Sequence, residues 1–291
     1  MKKVSKTKGI LIFYGIDLLL LLFLIIAFLP FSRKTEEPSR KTALLNPNAV
    51  ETIAAITLSV PDGTDAGWRT TVTLTKKGTL WTGSSSESSG TYIWPCNPRT
   101  VQSLVTDASR ITEIATKATS AAKWKNFGVD DKHASIISFY NAAGGTLSQL
   151  FFGAEDPLTQ RLYFRTWTDQ SVFETQDNTL QQFLTADESY WADPYIVPVL
   201  LSDEEGLRRG KLENIAPRDG LQPDYSLKKE CGNGARALFK IYKKDDSYIV
   251  IPTFVASPAF AQKDAEAIAA INYRYSISGW TLERLIEETK N

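Results

Sequence analysis

The residues that could do chemistry are few and scattered. His133 is the single histidine of the chain and follows Asp130-Asp131-Lys132. A Ser-His-Asp acyl-transfer site would need it as the base. No G-x-S-x-G elbow supplies a nucleophile, and a histidine in a charged turn reads as solvated. Acidic groups stand at Asp130-Asp131, Asp203-Glu204-Glu205 and Asp245-Asp246. Facing carboxylates can hold calcium or hydrolyse a glycosidic bond. None of these has EF-hand spacing, and each falls in an expected turn, where carboxylates cap and solvate. Gly232-Asn233-Gly234-Ala235 precedes a strand, whereas a dinucleotide fingerprint follows a strand and opens a helix. Gly83 to Gly90, GSSSESSG, lacks the lysine and helix start of a P-loop and reads as a flexible polar loop. Cys96, Cys231 and one histidine cannot build a four-ligand Cys/His zinc site. In an oxidising compartment the two thiols could pair and join two lobes. The residues therefore nominate no catalytic, cofactor-binding or metal-ligating side chain and imply no cofactor. Trp68, Trp81, Trp94, Trp124, Trp167, Trp191 and Trp280 could line a groove for a peptide or glycan, or pack the core.

Composition narrows the class. The 291 residues carry 33 basic and 33 acidic side chains, with 43% hydrophobic and 11% aromatic residues. A chain so apolar is not a disordered one, and zero net charge removes the electrostatic drive for nucleic-acid binding. Residues Gly9 to Phe31 form one apolar block of 23 residues. At about 1.5 Å per residue it crosses a hydrocarbon core of roughly 30 Å. A cleaved signal peptide is the rival, but its apolar region is shorter and ends in small residues. Here the run ends in Phe28, Leu29, Pro30 and Phe31.

The flanks tie in Lys/Arg count: Lys2, Lys3, Lys6 and Lys8 before, Arg33, Lys34, Arg40 and Lys41 after. The wholly cationic tail is expected in the cytoplasm and the rest outside, as a single-pass protein of the cytoplasmic (inner) membrane. Asp17 inside the span either tolerates its shallow depth or contacts a partner helix.

The elements beyond the anchor read as α+β: antiparallel sheets with packed helices. Residues 32–50, with Pro38 and Pro47, read as a linker. Ile56, Leu58 and Val60 alternate, as do Val72 and Leu74, with turns at Pro61-Asp62-Gly63 and Lys77-Gly78. Leu80-Trp81 and Thr91 to Trp94 are further strands. From Pro98, Val101, Leu104, Val105, Ala108, Ile111, Ile114 and Ala115 recur at three and four, the pattern of one helix packed on a sheet. Hairpins are expected at 134–152 and 162–175, and a short helix at Leu180 to Leu184. Residues 199–235 read as a connector between a domain at 51–198 and a C-terminal lobe at 236–291. That lobe holds strands around Phe239 and Ile249, a helix over 259–270, a strand over 273–278 and a final helix capped by Thr281. Tyr92-Ile93-Trp94-Pro95 and Tyr248-Ile249-Val250-Ile251-Pro252 each lead into a helix, which suggests two related β-β-α lobes.

Several short pieces resemble the family of domains called DUF4340. They are Lys77-Gly78-Thr79-Leu80-Trp81, the helix from Pro98, Phe127-Gly128-Val129 and Leu150-Phe151-Phe152-Gly153. After these come Leu162-Tyr163-Phe164-Arg165 with Val172-Phe173, and Trp191-Ala192-Asp193-Pro194. Together they span about Ile53 to Val197. Phe127 and Val129 stand where the family more often has tyrosine and leucine. The resemblance implies a membrane-anchored, extracytoplasmic accessory or binding module of the kind that accompanies ABC transporters of the gliding-motility type. It supplies no catalytic residue. The expectation is a non-enzymatic protein that meets the membrane through residues 9–31 and binds a protein partner in an envelope transport or motility complex. An envelope hydrolase acting on glycan or peptide through paired carboxylates is the alternative, and a structural spacer is a third reading.

Overall fold

The structure, a computed structural model, describes residue 20 and residues 39–63, 68–87, 90–156, 158–201, 208–213 and 220–290. The expected anchor at 9–31 (Leu20 apart), Asp17 and Asp203-Glu204-Glu205 lie outside the described residues. Among the described residues no helix is long and apolar enough to cross a membrane. The chain divides into two compact units, Met1–Ser39 and Arg40–Asn291. The second is a mostly antiparallel β structure with a few helices.

Period-two alternation of β-branched and polar residues builds two sheets. The larger has ten strands in the order β1-β6-β10-β9-β8-β7-β2-β3-β4-β5. These are β1 (Ser39–Ala43), β2 (Ile53–Pro61), β3 (Arg69–Lys77), β4 (Leu80–Glu87) and β5 (Gly90–Pro95). They continue with β6 (Ile111–Ala118), β7 (Ser135–Asn141), β8 (Thr146–Glu155), β9 (Leu162–Thr166) and β10 (Val172–Thr175). One face supplies the core through Ile56, Leu58, Val72, Leu74, Ile137, Phe139, Leu150, Phe152 and Phe164.

Helix α1 (Pro98–Ser109) leads from β5, at one edge of the sheet order, to β6, next to the other edge. Its buried stripe is Val101, Leu104, Val105 and Ala108. Asn97 caps it by accepting from Arg99 N, and Pro98 occupies the first turn, where its missing N–H costs nothing. The helix stops at Ser109, so Ile111, Ile114 and Ala115 belong to β6 rather than to α1. Arg110 is extended (φ −68°, ψ 140°) and starts a stretch rich in Ile and Thr that favours a strand. Ile114 is buried in the strand, so helical and strand spacing both predict an inward side chain there.

Three other expectations change. Much of GSSSESSG is strand rather than loop: Gly83 to Glu87 belong to β4, which pairs with β5 from Thr82↔Pro95 to Glu87↔Gly90, and residues 88–89 lie outside the described residues. Ser85 accepts the Trp94 indole N–H at 2.9 Å, and Gly83 gives the Trp94 ring room that a Cβ would occupy. The linker at 32–50 contains β1 and the start of a 3-10 helix over Pro47–Thr52. Leu44 and Leu45 between them are buried, and a fully buried leucine is worth about 1.5–3 kcal/mol. The connector at 199–235 contains β11 (Tyr225–Glu230) and the buried Leu201 and Leu212.

The smaller sheet is β11-β12-β13-β14, with β12 (Arg236–Lys244), β13 (Ser247–Val255) and β14 (Tyr275–Ser278). Its β12–β13 hairpin turns through Asp245, in the left-handed region (φ 51°) that a short polar side chain tolerates. Helices α2 (Gln262–Ala269) and α3 (Gly279–Glu288) bury Ala267, Ile268, Leu282 and Leu285 in the common core. The cap of α3 is Ser278, whose hydroxyl accepts from Thr281 N, and not Thr281 itself. A hairpin followed by a helix occurs in both places, β4-β5-α1 and β12-β13-α2, but β4-β5 ends a ten-stranded sheet whereas β12-β13 form the centre of a four-stranded one.

Gly83→Ala is expected to drive the new methyl into Trp94, at the cost of about 1–3 kcal/mol typical of overpacking. A urea titration reads this as a lower unfolding midpoint. An unchanged midpoint would contradict the packing of Trp94 on β4.

Candidate functional site

Three of the motif pieces meet at one place, on the face of the large sheet opposite the core. The strand register sets Thr71, Ser59, Ile136, Phe151 and Arg165 side by side on β3, β2, β7, β8 and β9. Arg165 is 4% exposed. Its guanidinium lies 3.9 Å from the Trp124 ring centroid and 3.5 Å from that of Phe151, a desolvated cation–π sandwich. Its Nε donates to Val129 O at 2.7 Å, and its Nη2 pairs with the Asp131 carboxylate. Gly128, with φ 67°, closes the short helix Trp124–Phe127. A Cβ on Gly153 would overlap Phe127 O, so the Phe127-Gly128-Val129 and Phe151-Phe152-Gly153 pieces touch backbone to backbone.

Arg69 holds the far end of the same segment. Its Nη1 donates to Asp131 O at 3.1 Å and its Nη2 to Ala134 O at 2.7 Å. The Nε donates to Ser59 Oγ at 2.8 Å. Between the two arginines, His133 Nδ1 lies 2.8 Å from the Asp130 carboxylate, which also accepts from Lys132 N. Burial pushes the Asp130 carboxyl up, but the hydrogen bonds from His133 and the Lys132 amide hold it below the ordinary aspartate range. His133, Asp130 and Asp131 are thus brought together, with Arg165, Arg69 and Trp124 added by the fold. Each carboxylate is engaged by a neighbouring side chain, which closes the segment on the sheet. Burial also disfavours the Arg165 charge, and Asp131 offsets that.

A second polar cluster lies at the junction of the two sheets. The Asp193 carboxylate accepts from Tyr195 N at 2.9 Å and Val199 N at 3.0 Å. Its amide donates to Pro95 O, and its carbonyl accepts from Arg209 Nε at 2.6 Å. Burial raises the Asp193 carboxyl, against the pull of those amides and of Arg209. Tyr273 and Tyr275 stack at 5.2 Å and both donate to Ile196 O at 3.4 Å. A third contact joins Lys77-Gly78-Thr79 to α2: Asp264 accepts from Thr79 N at 2.7 Å and Thr79 Oγ1 at 3.0 Å. A side chain on Gly78 would strike that carboxylate.

Gly232-Asn233-Gly234 forms a short 3-10 turn. Cys96 and Cys231 are both free thiols, the first buried, the second half-buried. Trp94 and Trp191 are core residues, Trp81 and Trp124 are half-buried, and Trp68, Trp167 and Trp280 are exposed. Among the described residues no cluster of three or more His, Cys, Asp or Glu could hold a metal ion. Sequence reasoning passed over Arg69, Arg165, Asp193 and Asp264 as individual sites. For Arg165 there was a signal: a lone charge within the strand Leu162 to Trp167.

The description "Domain of unknown function (DUF4340)" fits residues 89–222 of this chain, where such a domain is found. The matched stretch runs from the start of β5 through β10 and on to the polar junction. It includes the Arg165 cluster and Asp193, and it leaves out Lys77 to Trp81. No curated protein matches the chain. No solved structure matches it either.

Arg165→Ala should lower stability by about 2–4 kcal/mol, the loss of a buried cation–π contact and a charge-assisted hydrogen bond. Asp131→Asn, at a carboxylate 78% exposed, should cost under about 1 kcal/mol. Equal effects in urea titrations would reject this division of roles. The depressed Asp130 carboxyl adds stability above its unfolded value of about 3.9 and loses it as pH falls through the lower folded value. The melting temperature should therefore drop less below about pH 4 in Asp130→Asn than in wild type.

Proposed function

We propose that this chain is a non-enzymatic, single-pass membrane protein whose folded part stands on the extracytoplasmic side and binds a protein partner in an envelope transport or motility complex. The anchor would be the apolar block at 9–31. The transporter context rests on the DUF4340 resemblance alone. The observation that carries the binding reading is the solvent face of the smaller sheet. There Leu238, 42% exposed, faces Thr253, and Val255, 40% exposed, faces Arg236. The half-buried Ile251 faces Lys240. Leu238 is thus the diagonal neighbour of both Ile251 and Val255, a separation side chains can bridge. Lys228 stands beside Leu238 on β11, while Arg236 and Lys240 flank it along β12. Glu230 stands beside Arg236 on the same face and pairs with Lys228 at 2.8 Å, so the border carries both signs of charge around an apolar centre, which suits a protein surface with an apolar ridge and a mixed polar rim.

The hydrolase reading draws no support from Asp130 and Asp131. They are sequence neighbours held by His133 and Arg165, not carboxylates opposed across a cleft.

A photo-crosslinking amino acid at position 238 of the full chain, expressed in its native membrane, is expected to trap a discrete partner, including transporter subunits. Leu238→Asp should reduce the adduct captured from position 255. Labelling of lipid alone, or an adduct that Leu238→Asp does not change, would reject this face as the docking surface.

A further inference from the structure

The β9–β10 turn, Trp167 to Ser171, closes one end of the large sheet, and separate stretches of chain gather on it. Arg40, in β1, lies over the Phe173 ring at 4.7 Å and reaches Asp169 at 3.9 Å. Register sets Ala118, the last residue of β6, against Val172. The 3-10 turn Ala121–Lys123 follows, and the Trp124 indole N–H donates to Gln170 O at 2.8 Å. These contacts bring Arg40, Lys41, Lys123 and Lys125, all exposed, to the end of the sheet where Trp167 is 53% exposed. The acid of the turn is Asp169, held by the Ser171 amide at 2.8 Å and by Arg40. Among the described residues no carboxylate pairs with Lys41, Lys123 or Lys125.

The same end of the sheet is the one that the apolar block can hold close. That block ends at Phe31, and only residues 32–39 separate it from Arg40. Fully extended, such a stretch reaches at most roughly 30 Å. The opposite end of β9 carries Leu158, 91% exposed, in the β8–β9 turn. Two exposed apolar side chains thus stand at the two ends of one strand, and the cations accompany the one on the tethered side.

We propose that this end of the large sheet rests on the lipid surface, with the Trp167 ring at headgroup level and Arg40, Lys41, Lys123 and Lys125 against lipid phosphates. An indole is apolar over its faces and donates one N–H, which suits the boundary between hydrocarbon and water. Long basic side chains set their charge among phosphates while their stems cover apolar surface. The inference rests on the anchor reading of residues 9–31 and adds to it the surface by which the folded part meets the bilayer. It is separate from the protein-partner face, which is on the smaller sheet.

The test uses the full chain reconstituted in phosphatidylcholine liposomes with and without phosphatidylglycerol, carrying a photo-crosslinking amino acid at position 167 or 158. Position 167 should label lipid about fivefold or more above position 158, and most strongly with phosphatidylglycerol present. Lys123→Glu/Lys125→Glu should lower the lipid adduct from position 167 about fivefold or more, the factor that one lost basic contact at an anionic surface carries. Circular dichroism should be unchanged, and Lys41→Glu is the second variant should the double substitution disturb folding. Equal lipid labelling from 167 and 158, an adduct with a second copy of the chain in place of lipid, or a 167 adduct that the folded charge variants do not change would overturn the proposal. Alkaline carbonate extraction separates the two readings. Release of the chain into solution would overturn the anchor and this inference together, whereas a retained chain that fails to label lipid from 167 overturns the inference alone.

Discussion

The two sheets share one core, and the buried Asp193 fixes the turn of chain that lies between them. A carboxylate buried there carries a desolvation cost, which is why its proton affinity rises. Backbone amides of Tyr195 and Val199 offset that cost, and in doing so they fix the turn of the chain after Ala192, which bridges to Cys96 at the end of β5. Just beyond this turn the Arg209 amide donates to Pro194 O at 2.7 Å. The segment that follows reaches β14, where Ser276 N donates to Lys211 O and Glu213 N to Arg274 O. On the other side Asn272 donates to Ile93 O and accepts from Ile93 N. The connector thus lies along β14 through Lys211 to Glu213 and against the Pro194–Tyr195 turn through Arg208 and Arg209, while Asn272 joins the smaller sheet's side of the chain to β5. Removing one member of such a network leaves others unpaired in a low-dielectric interior, where each unpaired group costs more than it would in water.

The opposite face of the large sheet follows a different rule. Its row through Phe151 and Arg165 is apolar enough to need a cover, and the segment from Val129 to Ala134 provides it. A guanidinium suits this position because its flat faces stack on Trp124 and Phe151 while its edge still donates to Val129 O and Asp131. Two residues along the strands, the same face presents the half-exposed Thr57 and Gln149, with Ser138 buried between them and satisfied by the Gln149 side chain at 3.0 Å. The change from an apolar row to a polar one within one sheet therefore comes from the residues at alternate positions of β2, β7 and β8.

The candidate site was only partly legible. His133 and the Asp130-Asp131 pair stood out as chemical types, and their turn was expected. Arg165 is 34 residues from Asp131 in the chain and Arg69 is 62 residues from it, so nothing in local spacing links them. The helix from Pro98 was clear because its cap and apolar stripe are local. Its end was not, because Ile114 is inward in either a helix or a strand, and the extended Arg110 separates the two. The serines after Gly83 misled for the opposite reason: taken locally they resemble a loop, while Trp94 packed on Gly83 and bonded to Ser85 makes Ser84 to Ser86 a strand.

By itself the sequence determined the apolar block at its start, the alternation that makes strands, the amphipathic helices and the glycines that turn the chain. These depend on near neighbours, and period and composition record them. Tertiary structure alone decided the strand order, the common core of the two sheets with Asp193 at their junction, and the pairing of Arg165 with Asp131. It also decided which sheet faces stay open. Those outcomes depend on contacts between residues far apart in the chain, where burial and hydrogen bonding must be satisfied together, and no local pattern encodes that condition.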